Sequence, residues 1–134
     1  MDEPRGIIRN RAYAAQLRDF SGMRFGNITP TDIDGFIEYH DKGFVFIENK
    51  FGQARMSIGQ RLALQRLIDC LSQVKPSLLI IASHMEGANE DIDVGESIVT
   101  EYRSRGKWIV PATKITVYRM VDEFLKRLDR KGGL

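Results

Sequence analysis

The sequence predicts an α/β protein with a mixed central sheet and helices on both faces, a three-layer α/β/α arrangement. Two strand-like segments flank a short polar turn at Asp41–Gly43, which indicates an antiparallel hairpin. A helical pattern over 58–74 precedes an apolar run over 77–83, which is typical of a crossover helix leading to a buried strand. A second amphipathic pattern covers 115–130. The 134 residues are expected to form a single domain, 1–134.

Each element follows from periodicity and chain breakers. In chain order we expect a helix at 8–20, strands at 23–27, 35–39 and 44–50, a helix at 58–74, strands at 77–83 and 96–103, and a helix at 115–130. Ser57, with Gln60 three residues later, fits a capping box at the start of the second helix, and Pro76 ends it. Gly43 is the expected left-handed residue of the hairpin loop.

Composition excludes several classes of protein. Hydrophobic residues make up 43% and charged residues 28%, which argues against disorder, and the net charge of +2 permits an anionic partner without requiring one. Cys70 is a single cysteine, and His40 and His84 match no zinc signature, so neither a disulfide framework nor a zinc finger is expected. No apolar run approaches the length of a membrane span, and the first residues do not resemble a signal peptide. We therefore expect a cytoplasmic protein.

The most informative segment joins two carboxylates and an amine. Glu48 and Lys50 are two apart on a strand and therefore share a face, whereas Asn49 points the other way. A three-residue hairpin loop would set Asp34 opposite Lys50 and diagonal to Glu48, on the same face. Asp34, Glu48 and Lys50 are then expected to converge at one end of the sheet.

Two neighbouring carboxylates repel each other unless a cation neutralises them, and oxygen ligands suit Mg²⁺ or Mn²⁺. Such a metal acidifies a bound water and stabilises charge on a phosphate, while Lys50 could hold the water and offset that charge. Taken alone, Glu48 and Lys50 are also compatible with a weak surface ion pair on a strand. The Asp34 position, the hairpin and the following helix favour the metal site.

Asp34, the run Glu48-Asn49-Lys50 and a helix opening with Gly59-Gln60 together resemble the PD-(D/E)xK nuclease superfamily over about residues 8–104. The resemblance implies a restriction-endonuclease-like core of helix, three strands, helix and strand, here followed by a further strand and a C-terminal helix. It also implies a Mg²⁺- or Mn²⁺-dependent nuclease that hydrolyses DNA phosphodiester bonds with a metal-activated water. The implied catalytic residues are Asp34, Glu48, Lys50 and Gln60, and the implied metal ligands are Asp34, Glu48 and the backbone carbonyl of Asn49.

Two positions depart from the family pattern. Ile33 stands where the first motif has proline, and Asp32 is a rival to Asp34 as metal ligand. Some members carry Gln-x-x-x-Tyr in the second helix, whereas Gln60 is followed four residues later by Leu64. A capping-box partner of Ser57 therefore remains an alternative role for Gln60.

The expected partner is DNA. Its backbone is expected to contact Lys50, Gln53, Arg55 and Arg61, which lie next to the proposed metal. A domain of this size leaves little room for a specificity module, so a homodimer or a larger nucleoprotein complex is compatible with it, and no membrane partner is expected. Repair, recombination, restriction and phage DNA metabolism all fit the resemblance. The alternatives are a weakly active or inactive nuclease-fold module that binds nucleic acid or a protein, and an α/β protein in which the motif is accidental.

Overall fold

The computed structural model describes residues 19–85, 87 and 91–131. It divides into two compact units, Met1–Asp32 and Ile33–Leu134. The described part of the first unit contains a 3₁₀ turn at Ser21–Met23 and an isolated bridge between Phe25 and Ile28. The strand expected at 23–27 is therefore wrong, because within the described residues this segment forms only the single bridge from Phe25 to Ile28. The helix expected at 8–20 lies outside the described residues except for its last two.

The second unit is an α/β fold built on a five-stranded mixed sheet, as the sequence predicts. Its elements are β1 (Gly35–Tyr39), β2 (Gly43–Phe51), α1 (Ile58–Ser72), β3 (Ser77–His84), a 3₁₀ turn (Val94–Glu96), β4 (Ile98–Ser104), β5 (Lys107–Ile109) and α2 (Val117–Arg130). The strands lie in the order β1-β2-β3-β4-β5, and only β2 and β3 are parallel to each other. The short β5 was not expected from the sequence.

Each face of the sheet packs against one helix. Odd-numbered residues of β2 and even-numbered residues of β3 join Val117, Phe124 and Leu128 of α2 in one buried cluster. Phe46, Leu79 and Ile81 join Leu64 and Ile68 of α1 in the other. Because β3 contributes to both clusters, its residues Ser77–Ala82 are all buried. The alternation of β2 thus decides which of its side chains meet α1.

A β-bulge reverses the alternation within β4. The register with β3 shifts between Ile81 and Ala82, and Thr100 Oγ1 donates to the Ile81 carbonyl at 3.0 Å. Val99 therefore packs in the cluster under α2, while Glu101, only two residues later, lies on the α1 side opposite Ile81. Because of the bulge, Glu101 and Arg103 of β4 lie on the face of the sheet that packs against α1.

The β1–β2 register differs from the expected one by two residues. Tyr39 pairs with Gly43 and Gly35 with Ile47, so one further step places Asp34 opposite Glu48 rather than opposite Lys50. The left-handed residues of the turn are His40 and Asp41, at φ 49° and 61°, and not Gly43. Lys42 N donates to the Tyr39 carbonyl at 2.7 Å, so the turn closes at Lys42, before Gly43.

Gly43 is required by close packing instead. A Cβ at this position would lie 2.6 Å from the Pro76 carbonyl oxygen and 2.8 Å from Leu128 Cδ1. We expect Gly43→Ala to lower the free energy of unfolding by about 2 kcal/mol, measured by urea denaturation, because backbone must move to admit the methyl group. Gly59→Ala is the control, since a Cβ there meets nothing within 4 Å. Equal stability of Gly43→Ala and the wild type would contradict this packing.

Candidate metal centre

Glu48 and Lys50 lie near the end of β2, on the face that packs against α1. Phe46, two residues earlier, contacts the buried cluster of α1. Glu48 is only 2% exposed, and Lys50 is half-buried beside it. A carboxylate at this depth is costly without a charged or hydrogen-bonding partner.

Gln60 connects these two side chains. Glu48 Oε1 accepts a hydrogen bond from Gln60 Nε2 at 3.0 Å and lies 3.2 Å from Lys50 Nζ. Lys50 Nζ in turn donates to Gln60 Oε1 at 3.3 Å. The backbone N–H of Gln60 donates to Ser57 Oγ at 3.1 Å, so Ser57 is the helix N-cap. The backbone N–H of Gln60 thus takes part in the helix cap with Ser57, whereas its side chain faces β2.

The second oxygen of Glu48 has no partner among the residues that the structure describes. Oε2 is buried and makes no hydrogen bond to any described residue. Burial raises the pKa of Glu48 and the neighbouring charge of Asp34 raises it further, while Lys50 and Gln60 act in the opposite direction. The protein therefore holds one carboxylate oxygen in place and leaves the other available to a cation.

Asp34 directly precedes β1 and approaches β2 at Asn49. Its Oδ2 accepts a hydrogen bond from the Asn49 backbone N–H at 2.8 Å. Phe36, two residues later, lies with its ring centroid 4.9 Å from that of Phe46. Even-numbered residues of β1 thus share the face of Glu48, in line with the effect of the Asp34 charge on the Glu48 pKa. Asp32, the rival residue, is exposed, as Asp34 is, so the hydrogen bond to Asn49 is what distinguishes Asp34.

The backbone carbonyl of Asn49 completes an oxygen donor set. In an extended strand the N–H and C=O of one residue point to the same side. Because the Asn49 N–H meets Asp34, its carbonyl faces that side too. The Asn49 side chain lies on the opposite face and donates to Ser97 Oγ at 2.8 Å.

These donors fit a hard divalent cation. Two carboxylates and a carbonyl are ligands that Mg²⁺ or Mn²⁺ accepts, and water and phosphate oxygens commonly complete the coordination. Within 19–85, 87 and 91–131, no group of three or more His, Cys, Asp or Glu side chains is placed to hold a metal. The candidate site therefore depends on Asp34, Glu48 and one backbone oxygen.

The residues expected to bind nucleic acid fall into two groups. Gln53 and Arg55 are exposed in the loop between β2 and α1, immediately after Lys50. Arg61 is engaged elsewhere, since it forms an ion pair with Glu101 and its guanidinium carbon lies 3.8 Å from the centroid of the Trp108 ring. The structure thus gives Arg61 contacts that join α1 to the sheet.

Arg61 belongs to a row of polar residues along α1, which we call the polar stripe: Arg61, Gln65 and Asp69. Gln65 Oε1 accepts from Trp108 Nε1 at 3.0 Å, and Asp69 accepts two hydrogen bonds from Arg103, both at 2.7 Å. The stripe was missed in the sequence. Its signal is the spacing of four beside the apolar face of α1.

Comparison with known proteins identifies no relative. No family model matches the chain, and no significant match was found among curated proteins or solved structures. None of the helices in the described part of the chain has the length and apolar character needed to cross a membrane.

Proposed function

We propose that this protein is a metal-dependent nuclease that hydrolyses DNA phosphodiester bonds, with a PD-(D/E)xK-type site on a restriction-endonuclease-like core. The observation that carries the proposal is buried Glu48, whose Oε1 is held by Lys50 and Gln60 and whose Oε2 has no partner in the described chain. Asp34 supplies a second carboxylate at the same end of β2, where it accepts a hydrogen bond from the Asn49 N–H. A bound cation would satisfy the buried Oε2 of Glu48.

In this proposal Asp34, Glu48 and the Asn49 carbonyl would hold Mg²⁺ or Mn²⁺. When bound, the metal would supply a more acidic water and stabilise charge that develops on the phosphate. The Lys50 ammonium, beside Glu48, would offset phosphate charge and orient the attacking water. Gln60 is a positioning residue, because it holds both Glu48 and Lys50 and fixes their relation.

Exposed Gln53 and Arg55 would contact the DNA backbone next to this site, so they would contribute affinity rather than sequence specificity. A homodimer or larger nucleoprotein complex, and a cytoplasmic location, stay predictions.

A second candidate function is binding of nucleic acid without cleavage. One observation favours it: the described residues supply no third acidic side chain to the candidate site. Binding would then be independent of Mg²⁺ and of Lys50, which separates the two functions experimentally.

Replacement of Lys50 by methionine tests the nuclease. We expect the wild type to cut labelled single- or double-stranded DNA with Mg²⁺ or Mn²⁺ and not with EDTA, and Lys50→Met to cut about 100-fold more slowly. Methionine keeps the apolar part of the lysine side chain and removes the ammonium group, which is not a metal ligand in this proposal. The Mg²⁺ affinity measured by calorimetry should therefore not fall. Lys126→Ala is the charge control, because that residue pairs with Asp122 on the exposed side of α2.

Failure of the wild type to cut any of these substrates, with DNA binding retained, would favour the second function. Cleavage by Lys50→Met at the wild-type rate would show that the site is assigned wrongly.

A further inference from the structure

A groove of about 1220 Å³ opens at the end of the sheet away from Glu48. It is bordered by the start of β3 at Ser77, the turn between β4 and β5, and the last turns of α2. The candidate metal ligand Glu48 pairs with Ile81 of β3. The four residue steps from Ser77 to Ile81 span about 13 Å of strand. Neither Glu48 nor Lys50 lines the groove, so the groove and the metal centre are separate surfaces.

Both walls of the groove are basic. The five exposed cations are Arg105 and Lys107 on the β4–β5 turn and Arg127, Arg130 and Lys131 on α2. None of these five forms an ion pair with an acidic side chain in the described chain. The acids that line the groove are already engaged, since Asp69 pairs with Arg103 and Glu123 with Arg119. The groove thus carries an uncompensated positive charge on two facing elements.

The turn places an unusual residue in this wall. Ser104 pairs with Lys107, and the two residues between them are left-handed, with φ of 53° at Arg105 and 77° at Gly106. Two-residue turns of this kind favour Asn, Asp or Gly at the first position. Arginine there is conformationally less favourable, which indicates that its side chain serves a contact.

Between the walls the lining includes the half-buried side chains of Tyr102 and Met120 and the exposed side chain of Ile109. We propose that this groove binds a segment of single-stranded nucleic acid, with its phosphates on the basic walls and its bases on this lining. A single strand can offer its base faces to such a surface, whereas a duplex keeps its bases stacked within. The carboxylates of an acidic peptide would pair with the cations of the walls but would leave the apolar side chains between them without a partner.

The test removes two cations of the turn without disturbing it. Arg105→Asn/Lys107→Ala introduces the Asn-Gly pair that this turn prefers, so its melting temperature should equal or exceed that of the starting protein. All binding is measured in the full chain carrying Glu48→Gln, with EDTA, by fluorescence anisotropy of a labelled oligothymidylate. Two lost phosphate contacts should weaken binding roughly 10-fold at about 0.15 M salt and reduce the salt slope by about 1.4.

Arg66→Ala/Lys126→Ala, which removes two exposed cations that lie outside the groove lining, is the matched control and should bind like the starting protein. Equal binding by the turn variant would overturn the proposal. So would equal sensitivity of a duplex to these changes, or displacement of the oligonucleotide by polyglutamate at equal charge. Because cleavage is measured separately in protein with Glu48, failure of the groove leaves the nuclease proposal intact, and the reverse also holds.

Discussion

Replacement of Glu48 by glutamine is expected to reduce Mg²⁺-dependent cleavage about 1,000-fold or more and, without metal at pH 7, to make the protein more stable. Glutamine can still accept the hydrogen bond from Gln60, but it removes the charge that would hold the cation. It also removes a buried carboxylate whose pKa is raised by the charge of Asp34 and whose Oε2 has no partner among the described residues. We expect a gain of about 1 kcal/mol in the free energy of unfolding.

The gain should depend on pH in a defined direction. Burial and the charge of Asp34 raise the folded-state pKa of Glu48 above its ordinary value of 4.5. Below the unfolded pKa both states are protonated, so the protonated carboxyl contributes its full stability. As pH rises through the raised pKa, the folded protein must ionise a group that it disfavours, and that stability is lost. The advantage of Glu48→Gln should therefore appear above pH 4.5 and grow until the folded-state carboxyl is fully ionised.

Thermal unfolding in EDTA between pH 4 and pH 8 measures this difference. Adding Mg²⁺ should then raise the melting temperature of the wild type and leave that of Glu48→Gln unchanged, because ligand binding stabilises only the state that binds. Glu123→Gln is the matched control, as Glu123 is exposed and pairs with Arg119 on α2. A lower melting temperature for Glu48→Gln at pH 7, or wild-type cleavage, would contradict the assigned role of Glu48.

The local part of the candidate site could be predicted from the sequence. Alternation along a strand is a property of the backbone, so the shared face of Glu48 and Lys50 follows from their spacing alone. The register of Asp34 was wrong by two residues because it depends on which turn residues become left-handed. Glycine is the residue type that most readily becomes left-handed, which is why Gly43 is the expected one. Its close approach to Pro76 is a tertiary contact, which the sequence does not show.

The position of α1 could not be predicted in the same way. It depends on the bulge near Thr100, which turns Glu101 and Arg103 toward the helix. An isolated arginine on a helix carries no sign of its partner, so the sequence does not show that Arg61 contacts Glu101 and Trp108. The strand that brings Trp108 to Arg61 is only three residues long, which is too short to give a periodic signal.

The polar stripe explains why Gln60 reaches Glu48. Its contacts with Glu101, Trp108 and Arg103 lie along two turns of α1, beginning at the residue next to Gln60. The apolar residues Leu64 and Ile68 provide burial but permit sliding, whereas hydrogen bonds specify one position. We infer that the stripe sets the position of α1 on the sheet, and Asp69 tests this inference.

Asp69→Ala is expected to lower the free energy of unfolding by about 3 kcal/mol at pH 7, at the low end for a broken buried ion pair. The Arg103 side chain is 9% exposed, so the substitution leaves a guanidinium with little access to water, although Asp69 itself is 35% exposed. Arg103 lowers the pKa of Asp69 from 3.8. The stability from this pair is therefore present above pH 3.8 and is lost as pH falls through the lowered folded-state pKa.

Urea denaturation at pH 7 and at pH 3 measures both effects, and the difference between variant and wild type should shrink at the lower pH. Asp69→Leu/Arg103→Met should recover most of the loss, because it removes the unpaired charge along with its partner. Asp122→Ala, which breaks an exposed pair within α2, should remain close to the wild type. If Asp69→Ala is no less stable than Asp122→Ala, the stripe does not hold α1, and the Gln60 contact with Glu48 must depend on apolar packing alone.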